Sequence, residues 1–206
     1  MRRLINGLGK NSPEEYNNLF HKEADWQDLR RWKTLLKHYK GGNIVDIGCL
    51  NSDIPLLATV DGYYPDDFNY LGTDTADAAV KEMRKRYSDR KMFNFIVDDV
   101  YNTKIKDEVA DYLIIGEVLE HLENPGLAIK TCLNILKPGG ILAISVPLDE
   151  AMEPGAVDLE RHVWSFDKQD FRALLNGHKL KFKVLRSKWF PKYKYCWPTL
   201  VVWAIK

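Results

Sequence analysis

From Asn43 to Pro147 short apolar runs alternate with amphipathic stretches, and this alternation constrains the fold more than any other property of the chain. The runs NIVDIG, NYLGTD, FNFIVDD, ADYLIIGE and GGILAISVP read as strands, while intervening segments such as Ala76 to Tyr87 and Asn124 to Leu136 carry helical spacing. Strands alternating with helices predict βαβ units, and right-handed crossovers then place helices on both faces of a parallel sheet. In sheets of this kind ligands bind beyond the carboxyl ends of the strands, near the point where strand order reverses. Function is therefore sought in the residues directly after each strand.

The end of the chain breaks the pattern. Lys179 to Arg186 and Thr199 to Ile205 are strand-like runs with no helical pattern between them, so they predict an antiparallel pair at the sheet edge. The expected architecture is α/β: a three-layer, doubly wound, Rossmann-like sheet of seven strands, six parallel and the last antiparallel. Residues 1–40 read as an N-terminal helical cap and 41–206 as one globular unit. The cap opens with Ser12-Pro13-Glu14-Glu15, an N-cap signal with proline at the first helical position. Trp26, Leu29, Trp32, Leu35, Leu36 and Tyr39 then form an apolar face that ends at Gly41-Gly42. Tyr16, Phe20, His21 and Trp26 either cover the site or pack on the sheet, and packing is the favoured reading.

Composition narrows the partners. With 206 residues, 45% hydrophobic, 29% charged and a formal net charge of +1, the chain has a globular balance and no global pull toward nucleic acid or an acidic membrane. The three cysteines, Cys49, Cys132 and Cys196, are odd in number and widely spaced, which suggests reduced thiols and a cytoplasmic protein. No window approaches a membrane span, and MRRLINGLGK has no apolar continuation of the kind an export signal needs. Charge is nonetheless uneven: from Lys168 onward there are ten basic residues and one acid, Asp170. Lys179, Lys181 and Lys183 alternate along a strand, as an edge protected against unwanted pairing would show. Lys188, Trp189, Phe190, Lys192, Tyr193, Lys194, Tyr195 and Trp197 interleave charge with aromatic rings. Nucleic acid is accordingly a partner of second rank, behind a small molecule.

The strand ends carry the chemistry. VDIGC, Val45 to Cys49, is an apolar strand that closes on an acid, Asp46, and a glycine, Gly48, which lets backbone N–H groups approach an anionic ligand. The next strand ends in Gly72-Thr73-Asp74 and the third in Asp98-Asp99-Val100, so three successive strands terminate in acids. These motifs, with GEVLEHLENP (Gly116 to Pro125) and LKPGGILAISVP, resemble those of class I S-adenosylmethionine-dependent methyltransferases, from about Asn43 to Pro147. The resemblance implies S-adenosylmethionine as cofactor, held by Asp46, Gly48, Cys49, Asp74, Thr75, Asp99, Val100 and Glu117. Asp74 would accept from both ribose hydroxyls, and Asp99, in preference to Asp98, would face the adenine amino group. The chain departs from the family at Leu50-Asn51-Ser52-Asp53, where two further glycines are usual. Asn51 can take a left-handed conformation in their place, and Ser52 or Asp53 can cap a following helix. A nicotinamide-dependent dehydrogenase would need G-x-G-x-x-G, which DIGCLNSD does not supply.

Methyl transfer from a sulfonium is an in-line displacement that needs proximity and alignment rather than a covalent nucleophile. A hydroxyl acceptor additionally needs its proton removed or its pKa lowered. The catalytic candidates are His121, Glu117 and His162. In one arrangement His121 or His162 is a general base. In the other, Glu117, Glu120, His121 and His162 hold a divalent ion, an arrangement that resembles metal-dependent small-RNA 2′-O-methyltransferases and certain quinone-pathway O-methyltransferases. The metal is the less favoured of the two. The ranking that results is O-methylation of a small molecule or sugar, then RNA 2′-O-methylation with a metal, then a non-catalytic S-adenosylmethionine-binding protein.

Overall fold

A computed structural model describes residues 1–3, 26–50, 68–148, 162–186 and 198–206. The elements begin with strand β1 (Arg2–Arg3) and helix α1 (Trp26–Leu35), which runs into a 3-10 turn (Leu36–His38). Then come β2 (Asn43–Ile47), β3 (Asn69–Asp74), α2 (Asp77–Arg86), β4 (Phe93–Val97) and β5 (Ala110–Gly116). A 3-10 turn (Leu119–His121) leads to α3 (Pro125–Ile135) and β6 (Leu136–Pro147). The chain closes with β7 (Trp164–Ser165), α4 (Lys168–Leu174), β8 (Lys179–Leu185) and β9 (Thr199–Ile205). The helix start at Ser12, the residues Tyr16, Phe20 and His21, the turn Asn51 to Asp53, Cys196 and the aromatic stretch 188–197 lie outside the described residues, as do the side chains of Trp26 and Leu29.

Seven strands form one sheet in the order β4-β3-β2-β5-β6-β9-β8. β2 pairs in parallel with β3 and β5, β3 with β4, and β5 with β6, whereas β9 is antiparallel to both β6 and β8. Six strands thus point one way and the last points back, as the sequence pattern predicts. The order within the final pair follows from burial. β9 is buried at every position from Leu200 to Ala204 and lies inside, while β8 alternates exposed lysines with half-buried apolar residues and forms the edge.

Alternation along the strands divides the core between two faces. Val45, Ile47, Leu113, Ile115, Leu142 and Ile144 meet Ala128, Ile129, Cys132 and Ile135 of α3 and Phe171 of α4. On the other face Ile44, Tyr70, Tyr112, Ile114 and Ala143 meet Trp32, Leu35 and Leu36 together with Val80 and Met83 of α2. Helix α1 is thereby part of a sheet-covering layer: Trp203 Nε1 donates to Leu35 O at 3.1 Å, and the Tyr112 hydroxyl donates to the same carbonyl. α3 starts where Asn124 accepts from the Leu127 amide with Pro125 in the first turn, and α4 where Asp167 and Asp170 form a reciprocal capping box.

Two features escape the periodicity argument. β6 begins at Leu136 rather than at the glycine pair, because a bulge opposite Ala110 and Tyr112 absorbs the intervening residues. β1 and β7 form a two-residue antiparallel ladder beside the main sheet, too short to leave a periodic signal. Among the described residues no helix is long and apolar enough to cross a membrane.

Candidate active site

The chain leaves β2 toward β3 and β4 on one side, then returns to place β5 on the other, so strand order reverses between β2 and β5. Gly48 follows the tip of β2, and Glu117 follows that of β5. The two tips touch. Gly48 has φ +71°, and a Cβ there would lie 2.4 Å from Val118 Cγ2, so both the conformation and the space require glycine. The Gly48 and Cys49 amides donate to Thr73 O at 2.8 and 2.9 Å, which ties the turn to the tip of β3.

Asp74 sits at that tip, 8% exposed. One carboxylate oxygen accepts from the Leu50 amide at 2.8 Å and the other from the Ala76 amide at 2.9 Å. With the Thr75 amide also on the carboxylate, acceptor capacity is left for a hydroxyl donor. Burial pushes the Asp74 carboxyl above its ordinary value, partly offset by the amides of Ala76, Leu50 and Thr75. Leu50, holding the place of a family glycine, has φ +34°, so the Asp74 bond stabilises a turn that its own residue type disfavours.

The neighbouring acids separate by environment. Asp98 is 7% exposed and its oxygens accept from Thr103 Oγ1 at 2.5 Å and the Lys104 amide at 3.0 Å, so it organises its own loop. Asp99 is exposed and uses one oxygen to cap the Tyr101 amide at 2.9 Å, with Val100 buried beside it. Thr75 is exposed at the start of the turn after β3. Asp46 lies below the tips, 1% exposed, and accepts from the Tyr70 hydroxyl at 2.6 Å. The Cys49 thiol is buried against Gly72, whose added Cβ would lie 2.9 Å from the sulfur. Burial first, then Asp46 and Asp74, push that thiol well up and leave it un-ionised.

Beyond β5 the backbone is strained. Glu117 has φ +55°, its amide donates to Ser145 O at 2.9 Å, and its Oε1 is buried with no hydrogen-bond partner. Of the three non-glycine residues at positive φ among the described residues, Leu50 and Glu117 flank the same crevice, the pattern of strain held at a functional site. The following turn presents Glu120, fully buried, and His121, half-buried. His162, 3% exposed, arrives from the segment before β7, and ligand atoms of Glu120, His121 and His162 all lie within 4.8 Å of one another. The two imidazole rings meet edge to face with centroids 4.7 Å apart. The Val163 amide donates to Glu120 O at 2.6 Å and Trp164 Nε1 to Leu122 O at 2.7 Å, which fixes the His162 segment on the turn. Glu117 stands outside this three-residue group.

The sequence supplies the acids and histidines but not what supports them. Val118, which closes on Gly48, Tyr70, which engages Asp46, and the Val163–Trp164 anchor for His162 are ordinary core residue types. Only the juxtaposition of strands gives them a role.

A sheet with the order and directions found here, a glycine turn after the first parallel strand and acids at the next two tips defines the Rossmann-like class I methyltransferase fold. Residues 45–144 match the family model described as a methyltransferase domain. Residues 45–144 are accordingly a methyltransferase domain, carried on a fold shared with S-adenosylmethionine-dependent methyltransferases. An uncharacterized 37.1 kDa protein in transposon TN4556 of Streptomyces fradiae is 24% identical over 121 residues, 58% of this chain and 34% of that protein. This chain therefore spans about a third of the length of that curated relative. Among solved structures, the [4+2]-cyclase SpnF superposes with a TM-score of 0.71 at 17% identity, covering 89% of this chain and 84% of the cyclase. An Aquifex aeolicus S-adenosylmethionine-dependent methyltransferase gives 0.66 at 16% identity, covering 95% and 99%. One from Methanosarcina mazei gives 0.64 at 17%, covering 84% and 96%.

Proposed function

We propose that the chain transfers a methyl group from S-adenosylmethionine to a hydroxyl oxygen of a small molecule or sugar. The observation that carries this reading is the Glu120–His121–His162 cluster directly beyond the β5 tip, beside the row formed by Gly48, Asp74 and Asp99. The residues fit the cofactor: Asp74 retains lone pairs for the ribose hydroxyls, Asp99 offers an exposed carboxylate to the adenine amino group, and the unpartnered Glu117 oxygen suits an ammonium. When bound, S-adenosylmethionine supplies a methyl group activated by its sulfonium. Gly48, packed on Val118 where the two strand tips meet, would face the cofactor's amino-acid end. His121, the more exposed imidazole, accepts the acceptor hydroxyl's proton, and the buried Glu120 carboxylate stabilises the imidazolium that results.

A second reading has its own observation. Ligand atoms of one carboxylate and two imidazoles lie within 4.8 Å of one another, a mixed oxygen and nitrogen donor set that would suit a divalent ion. Glu120, His121 and His162 would hold such an ion, which would supply Lewis acidity toward the acceptor hydroxyl, and RNA 2′-O-methylation then joins the acceptor classes. SpnF, a cyclase on a similar fold, is the reason to measure transfer itself, since a fold hosts more than one reaction.

The test is calorimetric titration with S-adenosylmethionine and its demethylated product, on the native chain and Asp74→Ala, followed by labelled-methyl transfer to a panel of hydroxyl metabolites and sugars. Cofactor binding lost in Asp74→Ala and label on an oxygen are expected. No cofactor binding by the native chain overturns the proposal, and binding without transfer to any acceptor leaves the non-catalytic reading. Repeating the assay with Mg²⁺ or Mn²⁺ and with His162→Ala separates base from ion: metal binding that vanishes in the variant selects the ion.

A further inference from the structure

A basic surface on the sheet edge takes no part in the crevice chemistry. β8 is the edge strand, and its Lys179, Lys181 and Lys183 are all exposed. In register they stand opposite Ile205, Trp203 and Val201 of β9. Trp203 and Val201 pack with Trp32, Leu35 and Leu36, so the lysines share the face covered by α1 and its 3-10 turn. Exposed Arg30, Lys37 and Lys40 come from that helical layer. Two contacts join the halves: Arg30 Nη1 donates to Arg186 O at 3.1 Å, and His38 meets the Trp203 ring at 4.9 Å. The charges are close enough to act together. Partial burial first, then Lys181, Lys37 and Lys40, hold the His38 imidazole below its ordinary value.

None of Arg30, Lys37, Lys40, Lys179, Lys181, Lys183 and Arg186 is paired with a carboxylate among the described residues. The described side chains of α1, the 3-10 turn and β8 include no acid. Protection of an edge strand accounts for lysines on β8, but not for further cations of the same sign on the helical layer beside it. Successive lysines on one face of a strand stand about 6.6 Å apart, comparable to the step between neighbouring phosphates of an extended nucleic-acid strand. β8 runs parallel to β5 and β6, so the line of charge climbs toward the end of the sheet that holds the crevice.

The geometry points to this face as a binding surface for a single-stranded nucleic acid, gripped through its phosphates along β8 with the cations of α1 and the 3-10 turn beside it. A single line of cations matches one backbone, whereas a duplex presents two across a groove. The surface is distinct from the cofactor residues, so it stands or fails independently of the methyl-transfer reading.

The test is fluorescence anisotropy of a labelled single-stranded RNA of roughly 20 nucleotides, titrated with the full chain across a salt series. Binding that weakens steeply with salt is expected. In Lys179→Gln/Lys181→Gln/Lys183→Gln the salt slope should fall by about 2, from three contacts at about 0.7 each. The corresponding triple arginine variant should retain the slope, and Lys85→Gln/Arg86→Gln/Lys91→Gln, on the opposite sheet edge, should not change it. Cofactor titration of every variant reports whether the crevice is intact. The proposal is overturned by no RNA binding at low salt, by unchanged binding in the glutamine triple, by tighter binding to duplex, or by binding to anionic phospholipid vesicles in place of RNA.

Discussion

Replacing Glu117 by glycine should make the protein more stable and less functional, and the comparison with alanine isolates why. At φ +55° a residue with a Cβ carries a left-handed penalty of about 1–2 kcal/mol. Glycine escapes that penalty but gives up about 0.5–1 kcal/mol to the entropy of the unfolded chain. Glu117→Gly and Glu117→Ala both remove the carboxylate, so their difference reports the backbone alone, and glycine should win by about 0.5–1 kcal/mol. At an unstrained position the sign would be reversed. For a chain of this size the gap corresponds to roughly 1–4 °C in Tm, within reach of differential scanning fluorimetry with replicate denaturant unfolding. Glu117→Gly should also exceed the native chain, because it removes a buried oxygen that has no partner. Calorimetry on the same sample should show weakened S-adenosylmethionine binding, the trade-off expected of strain kept for function. An alanine variant as stable as the glycine one would refute the strain argument, and native cofactor affinity in Glu117→Gly would refute the reason offered for the strain.

Gly48→Ala should cost about 2–5 kcal/mol, combining left-handed strain with overpacking against Val118, and adding Val118→Ala should recover only the overpacking part in denaturant unfolding. Asp98→Ala should lower stability by about 1–3 kcal/mol because the loop loses the hydrogen bonds that half-buried Thr103 and the amide of exposed Lys104 give to an ionised, buried carboxylate, whereas Asp99→Ala should leave stability nearly unchanged and weaken cofactor binding. Because the folded Asp74 carboxyl is held above its ordinary value, the unfolded chain releases that proton first. Stability from this group therefore falls as pH rises from the unfolded value, about 3.9, through the raised folded one, while cofactor affinity, which needs the ionised carboxylate, rises across the same window. Affinity measured on acidification should begin to drop above the ordinary aspartate range, and the step should be absent in Asp74→Asn.

Local pattern made much of the fold legible. β5 reads as a continuous apolar run because a central parallel strand is covered on both faces, and β8 reads as alternating because an edge strand with lysines is not. The acids at Asp74 and Asp99 and the histidine at His121 stand at a strand end or in the turn that follows one, where topology alone makes them candidates. Pattern could not say which of Asp98 and Asp99 turns inward, since both follow the same strand and only the loop through Thr103 and Lys104 selects one. Nor could it place His162, forty-one positions after His121, against Glu120; that depends on the Val163 and Trp164 anchors and on β1 pairing with β7, which are non-local contacts with no period. The strain at Glu117 and Leu50 is likewise invisible in residue types that normally avoid positive φ.

The long strands of the main sheet, the helices between them and the side chains at their ends could be read from local pattern, because they follow from spacing between neighbours along the chain. Which of those ends meet, which carboxylates are buried and which backbone is bent to hold them were settled by long-range packing, because each depends on a partner distant in sequence whose identity no local pattern encodes.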